Sequence, residues 1–263
     1  MTAYDFTIEL LCRVDEAMPN TPKHPLSLLH PSEVVTIGLL HALRGEGCRA
    51  FDRWLRKELG SLFPRLPERT RLFRLLHAYA EQTRSFLAQP TFFGVCDSFG
   101  IELNHPKRER RSKKQIGKKG KSNHRWIVGA KLGLLCNGLG QIVNWQCETA
   151  NVYDATFHPL LEEVQEKMIV LCDSGFHAKK GDPTNCKICK ICKICKICKK
   201  GKWNQRMIVE TMFSLFTRIL NLKHLTHRTW NGLKARLAYV TAAFNICINW
   251  TGNVKLSIKD FAL

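Results

Sequence analysis

The chain contains 263 residues, 44% of them hydrophobic and 9% aromatic, proportions that are typical of a globular protein with a real core. Its formal net charge is +19, and two basic windows at 107–125 and 179–202 carry 17 of those charges. Charge concentrated in this way favours a polyanionic partner. A solvated loop without a partner is the alternative.

The first fifteen residues include Asp5, Glu9 and Asp15, a pattern that argues against a signal peptide. The longest weakly polar stretch, 237–250, is too short to cross a bilayer. The sequence therefore predicts a soluble intracellular protein.

Residues 1–90 are predicted to form an all-helical N-terminal region. Apolar residues at helical spacing mark three helices, at 32–43 with Ser32 as the N-cap, at 48–59 and at 67–87. Such a region is either a DNA-reading helical module or a cap that packs on other helices. The sequence leaves both interpretations open.

From residue 91 the apolar pattern becomes that of strands. The run 92–97 predicts a buried strand that ends at Asp97. Residues 105–122 have no apolar period and predict an exposed loop rich in Lys, Arg and Gly. Two Val-, Ile- and Leu-rich runs at 125–136 and 141–149 predict a hairpin, because Asn137-Gly138-Leu139-Gly140 is a strong turn signal.

The second half of the predicted domain continues with a helix at 154–166 and a buried strand at 168–172, which ends at Asp173. Helices at 203–220 and 230–250 complete the chain. This order predicts a second domain, 91–263, with a mixed α/β sheet and two basic loops at 105–125 and 178–202.

The helix predicted at 203–220 has one polar face and one apolar face, and the apolar face is formed by Ile208, Met212, Leu215, Phe216 and Ile219. Glu210 lies on the polar face, one turn after Arg206, and the simplest interpretation is a surface ion pair. However, an aspartate at the tip of a buried strand is costly unless it holds a cation or a partner. Asp97, Asp173 and Glu210 together therefore predict a metal-binding carboxylate cluster.

Twelve cysteines are present. Seven are scattered in apolar contexts and are interpreted as small buried hydrophobic residues. The others belong to Cys186 and a fourfold Lys-Ile-Cys repeat at 187–198. The perfect repeat favours an expansion of the coding sequence over a zinc or iron–sulfur site, because structural zinc sites bring together two Cys-x-x-Cys pairs across a loop. A metal site and a reducible thiol cluster remain the alternatives.

These residues resemble the DDE transposases of bacterial insertion sequences. The order Asp97, Asp173 and Glu210 matches the three acids of that family, and Asp-Ser-Gly-Phe-His after the second acid is similar to the family's pattern there. Trp203 and Arg206 match the aromatic and arginine positions of the Tyr-x2-Arg-x3-Glu-x6-Lys signature. Trp replaces the tyrosine.

The signature's final lysine position is occupied by Thr217, with Arg218 next to it. The resemblance covers about residues 91–250, and 1–90 looks like the family's helical leader. It implies an α/β, RNase H-like mixed sheet flanked by helices, preceded by an all-helical region.

The resemblance implies metal-dependent cleavage and transfer of DNA strands, with Asp97, Asp173 and Glu210 holding two Mg²⁺ or Mn²⁺ ions. Oxygen ligands suit these hard ions. The predicted DNA-binding residues share positive charge, an aromatic ring or a position near the acids. They are Trp203, Arg206, Arg218, His177, Lys113, Lys114, Lys118, Lys119, Lys121 and Arg125. The alternative role of Trp203 is a hydrophobic staple at the start of the helix. The alternative role of His177 is to cap a turn.

The implied partners are the element's terminal inverted repeats and target DNA, bound by a homodimer in the bacterial nucleoid. Two other functions stay open. A related RNase H-like nuclease would cut without transferring strands, and an inactive remnant would bind DNA while the Lys-Ile-Cys insertion misplaces Glu210.

Overall fold

A computed structural model describes residues 2–18, 21–122, 125–188, 205–218, 220–222 and 225–251. Within residues 205–210 and at 251 it describes the helix but not the side chains. The chain divides into two compact units, one made of helices and one built around a sheet. The part of the Lys-Ile-Cys repeat that follows Ile188 lies outside the described residues, and so does Trp203.

The helical unit contains the N-terminal helices and the last described helix of the chain. Its α-helices are α1 (Ala3–Ala17), α2 (Pro31–Arg44), α3 (Cys48–Glu58), α4 (Arg69–Ala78) and α7 (Trp230–Thr251), with a 3₁₀ helix at Ala80–Phe86. The helix predicted at 67–87 is therefore two shorter helices. The unit also takes in α7, whereas the sequence division placed every residue after 91 in the second domain.

The N-cap of helix α2 lies two residues earlier than predicted. Its N-cap is His30, not Ser32, because the His30 ring accepts from the backbone N–H of Ser32 and the Glu33 carboxylate reciprocally accepts from that of His30. Pro31 then occupies the first helical position, where no intrahelical donor is required.

Helix α7 is buried along most of its length and forms the centre of the helical unit. The Tyr239 hydroxyl donates to the Leu76 carbonyl at 2.9 Å, and its ring packs so closely on Gly38 that a Cβ there would lie 2.2 Å away. The buried guanidinium of Arg236 donates to the carbonyls of His41 and Ala42 at 2.6 and 3.1 Å. It thereby satisfies carbonyls at the C-terminus of α2.

The sheet unit contains six strands in its described part. They are β1 (Phe93–Asn104), β2 (Lys118–Ser122), β3 (Arg125–Asn137), β4 (Ile142–Thr149), β5 (Ile169–Cys172) and β6 (Cys186–Ile188). Strand β3 pairs antiparallel with β1, β2 and β4, whereas β5 runs parallel to both β1 and β6. The predicted mixed sheet is confirmed.

Helices cover both faces of this sheet. On one face, a 3₁₀ helix (Asp154–Phe157) and α5 (His158–Glu162) pack over a core that includes Cys96, Leu135 and Cys172. On the other face lies α6 (Gln205–Arg218), whose Met212 and Phe216 are fully buried. The helix predicted at 154–166 is thus shorter and begins with a 3₁₀ turn.

The prediction of a loop through residue 122 was wrong for its last part, because Lys118–Ser122 forms β2. Lysine and glycine have low strand propensity, and the strand is supplied instead by pairing along the edge of β3. A Cβ on Gly120 would lie 1.9 Å from the Ala150 carbonyl oxygen, so close packing requires glycine there.

Of the seven cysteines interpreted as small buried hydrophobic residues, five are buried: Cys96, Cys136, Cys147, Cys172 and Cys247. The same interpretation was wrong for Cys12 and Cys48, which are exposed. Each lies at a solvent-facing position of a helix and directly precedes an arginine.

Candidate metal site and DNA-binding surface

Asp97 lies within β1 and not at its tip. The strand continues for seven residues to Asn104 and pairs with β3, including Asp97 with Leu134, with one register shift between Glu102 and Asn104. The sequence prediction of a strand end at Asp97 was therefore wrong. What does end near this residue is the pairing of β1 with its other neighbour, β5, whose last matched residues are Val95 and Leu171.

Asp173 directly follows β5, as predicted, and its backbone remains extended at φ −80° and ψ 176°. Because Val95 matches Leu171 in the parallel register, Asp97 and Asp173 each lie two residues further along and are level with one another. Side chains two residues apart on a strand share a face. The two carboxylates thus lie on the same face of adjacent strands.

The cysteines that directly precede the two aspartates give an independent check of the face on which these carboxylates lie. The Cys96 and Cys172 side chains lie together in the core on the opposite face. Burial raises the pKa of the Cys96 thiol. Since side chains alternate along a strand, Asp97 and Asp173 must point away from that core.

Both aspartates are partly exposed and are oriented by short local hydrogen bonds. The backbone N–H of Ser98 donates to Asp97 Oδ1 at 2.7 Å, and that of Gly175 donates to Asp173 Oδ1 at 2.9 Å. Two partly exposed carboxylates on one face of adjacent strands fit a hard divalent cation such as Mg²⁺ or Mn²⁺.

Helix α6 packs on this same face of the sheet. The Phe213 ring stacks on that of Phe99 with centroids 5.1 Å apart, and Phe99 shares a face of β1 with Asp97. Position 210 lies three residues before Phe213 in the helix. The side chains of Glu210 and Arg206 lie outside the described residues, and within the described part of the chain no three His, Cys, Asp or Glu side chains form a metal-binding group.

A polar cluster that the sequence analysis did not single out lies behind the two aspartates. Asp154 accepts from the Ser98 hydroxyl at 2.5 Å and from the Lys131 ammonium at 3.1 Å. Lys131 also donates to the Val152 carbonyl at 2.8 Å. The available signal was Lys131 itself, a charged residue within the otherwise apolar run from Ile127 to Cys136.

His177 lies in the loop after β5 and is held by Asp182. Its Nδ1 is 2.8 Å from Asp182 Oδ2, and the backbone N–H of Ala178 donates to the other oxygen at 2.8 Å. These hydrogen bonds, that of His177 first, lower the pKa of Asp182. The arrangement stabilises the turn and leaves His177 exposed.

A family model described as "Transposase DDE domain" matches residues 87–230, more than half of the chain. The chain belongs to this transposase family. No curated protein matches it. Strands β4, β3 and β1 are antiparallel neighbours, and β5 and β6 continue the sheet parallel to β1. This strand order is that of an RNase H-like DDE domain.

The DDE domain carries an exposed basic surface on the β2–β3 ribbon. Lys119 and Lys121 share a ribbon face with Trp126, since Lys119 pairs with Val128 and Lys121 with Trp126. The indole is 57% exposed, and the Lys119 ammonium lies 5.6 Å from its ring centroid. Lys118 is exposed on the other face of the ribbon.

The predicted basic loop extends this surface in the transposase. Lys113 and Lys114 are exposed, and Lys113, Lys118 and Lys119 line an open cleft of about 490 Å³ that also contains Glu109 and Asn151. Arg125 is exposed but pairs with the buried Glu102 carboxylate, so part of its charge is compensated. Arg218 is exposed at the end of α6.

No helix in the described part of the transposase is both long and apolar enough to cross a membrane.

Proposed function

We propose that this protein is an active DDE transposase that cleaves DNA at the ends of an insertion sequence and joins those ends to target DNA. The observation that carries the proposal is the level placement of Asp97 and Asp173 on one face of adjacent strands, with α6 packed on that face. Glu210 would join them from α6 as the third acid.

Asp97, Asp173 and Glu210 are the residues that would hold Mg²⁺ or Mn²⁺, with two ions as the proposed number. When bound, such ions activate a water or 3′-hydroxyl and stabilise the leaving oxygen of a phosphodiester. The chain's own contribution is to fix the carboxylates. Ser98 and Gly175 each donate a backbone N–H to one of them, so less reorganisation is needed when a cation binds.

The β2–β3 ribbon would hold the DNA backbone near the site. Its exposed lysines are suited to phosphate contacts, which position DNA without reading its sequence. Arg206, Arg218 and His177 would approach the cleavage point, and Trp203 would stack on an unpaired base. We propose that the protein acts as a homodimer on the paired element ends in the bacterial nucleoid.

The test measures end cleavage and DNA affinity for each acid separately. Asp97→Asn, Asp173→Asn and Glu210→Gln preserve shape and should reduce cleavage by about 10²-fold or more, because each removes a charge from the metal site. Duplex affinity should change little. Glu163→Gln is the matched control, since its exposed carboxylate is bound by Asn144 on the opposite side of the unit. Cleavage that persists in excess EDTA would contradict the metal mechanism.

One observation favours a second function, DNA binding without catalysis. The basic ribbon is built entirely from β2 and β3 and does not depend on the position of Glu210. A protein that binds duplex DNA tightly but cleaves it no faster than the Asp97→Asn variant would be such a remnant.

A further inference from the structure

Strand β1, which carries Asp97, is joined to Asp154 by a partly buried hydrogen bond from Ser98. Ser98 donates its backbone N–H to Asp97 and its hydroxyl to Asp154, at 2.7 and 2.5 Å. Ser98 therefore contacts both carboxylates at once, although their side chains lie on opposite faces of the sheet. Ser98 therefore links Asp154 directly to Asp97.

On the other side, Asp154 packs directly against the turn that holds Asp173. A Cβ built on Gly175 would lie 2.6 Å from Asp154 Oδ2 and 3.1 Å from Asp173 Oδ1. The N–H of the same glycine donates to Asp173 Oδ1 at 2.9 Å. Asp154 thus touches both residues whose N–H groups orient the two candidate ligands.

Lys131 fixes Asp154 in this place. Its ammonium is 3.1 Å from Asp154 Oδ1 and 2.8 Å from the Val152 carbonyl, and the two side chains of the pair are 14% and 23% exposed. Removing one partner of a poorly solvated ion pair leaves the other charge uncompensated, so the pair resists separation. Two strands and one 3₁₀ helix contribute to the pair and its Ser98 contact.

We propose that Asp154, held by Lys131 and Ser98, is a positioning residue that sets the spacing of Asp97 and Asp173 for metal binding. The inference rests on the proposed function of those two acids as metal ligands. Asp154 acts through its neighbours, since its carboxylate accepts from the Ser98 hydroxyl and the Lys131 ammonium. Partners that orient metal ligands typically change metal affinity by about 10–100-fold when they are removed.

The experiment measures the affinity of the full chain for MnCl₂ by titration calorimetry, beside its end-cleavage rate. Asp154→Asn keeps the side-chain shape but removes the charge that Lys131 requires, and should weaken Mn²⁺ binding by about tenfold or more. Gly175→Ala changes no charge and inserts a methyl group against Asp154, so it should weaken binding in the same direction.

Two controls separate positioning from general loss of stability. Gly47→Ala places a methyl group where nothing lies within 4 Å, and Glu163→Gln removes a carboxylate from another hydrogen bond. Both should bind Mn²⁺ within about twofold of the wild type. If circular dichroism shows that Asp154→Asn does not fold, the test rests on Ser98→Ala and Gly175→Ala. Ser98→Ala deletes only the bridging hydroxyl.

Wild-type Mn²⁺ affinity in folded Gly175→Ala and in folded Asp154→Asn or Ser98→Ala overturns the inference while leaving the proposed function intact. A wild-type protein that neither binds Mn²⁺ nor cleaves DNA contradicts the proposed function, and this inference falls with it. Weakened Mn²⁺ binding in these variants, with normal binding in both controls, supports it.

Discussion

The rings of Phe99 and Phe213 stack with their centroids 5.1 Å apart, and this contact holds helix α6 against the sheet face that carries Asp97. Phe99 is two residues beyond Asp97 on β1, and Phe213 is three residues beyond Glu210 on α6. The stacked pair therefore connects the strand of the first acid to the helix of the third.

We predict that Phe213→Ala reduces end cleavage by about tenfold or more while duplex affinity stays near the wild-type value. Loss of the ring removes an aromatic contact and its buried area, about 2 kcal/mol for a partly buried side chain. The helix that carries Glu210 then loses its fixed position, and small misplacements of catalytic groups are costly. Cleavage and filter-binding measurements on the same preparations check this.

Phe92→Ala is the matched control, since its ring is 68% exposed and contacts the neighbouring Phe93. It should leave cleavage within about twofold of the wild type. Normal cleavage by Phe213→Ala would show that α6 is fixed by Met212 and Phe216 without the stacked pair.

The sequence predicted the sheet core well because apolar runs carry their own signal. The hairpin at 125–149 is found as β3 and β4, and the faces assigned to the 203–220 helix agree with the burial of Met212 and Phe216. The spacing of apolar residues can be seen in the sequence, and it was sufficient to predict these elements because burial of apolar side chains determines them.

The failures share a different cause, which is pairing between distant segments. Strand β2 is built from lysine and glycine, and only its partner β3 makes it a strand. Asp97 interrupts an apolar run, yet β1 continues past it because β3 supplies hydrogen bonds as far as Asn104. Asp154 was predicted only as part of a helix, since its partner Lys131 is 23 residues away.

We predict that Asp182→Asn lowers stability at pH 6 but not at strongly acidic pH. Hydrogen bonds from His177 and Ala178 hold the pKa of Asp182 below its usual value of 3.8. The folded state therefore binds the proton less readily than the unfolded state, so the contribution is fully present above that usual value. It is lost as the pH falls through the folded pKa.

Urea unfolding midpoints at pH 6 and at pH 3 measure the difference in stability between the wild type and Asp182→Asn. This difference should be small even at pH 6, because exposed ion pairs contribute about 0.2–1 kcal/mol. His177→Gln removes the main donor and should largely abolish the pH dependence of the wild-type minus Asp182→Asn difference. A difference that is equal at both pH values would assign the effect to packing instead.

We predict that replacing Lys118, Lys119 and Lys121 together by Gln weakens binding to any duplex and lowers its salt dependence. Each lost phosphate contact should reduce the slope of log K against log salt by about 0.9. All three side chains are exposed on the ribbon, so folding should be unaffected. Affinity is measured between low and moderate salt on two unrelated duplexes.

Lys167→Gln, an exposed lysine just before β5, is the control for a change in net charge alone. Its effect on the slope should be small beside that of the triple variant. A triple variant that loses affinity for one duplex and keeps it for the other would show that the ribbon reads bases.

The exposed Trp126 predicts a further difference, between single-stranded and duplex DNA. Its indole is 57% exposed on the ribbon face that also carries Lys119 and Lys121, so a base can stack on the ring while the ammonium groups contact flanking phosphates. Trp126→Ala should weaken binding of a short single strand by about tenfold, since stacking contributes about 1–3 kcal/mol per base. Trp126→Phe keeps a stacking face and should retain most of that affinity, and duplex binding should change little in either variant.

Fluorescence anisotropy with labelled single-stranded and duplex oligonucleotides measures both affinities. Equal losses on the two substrates would mean that Trp126 only supports the Lys119 side chain, and that the ribbon contacts phosphates alone.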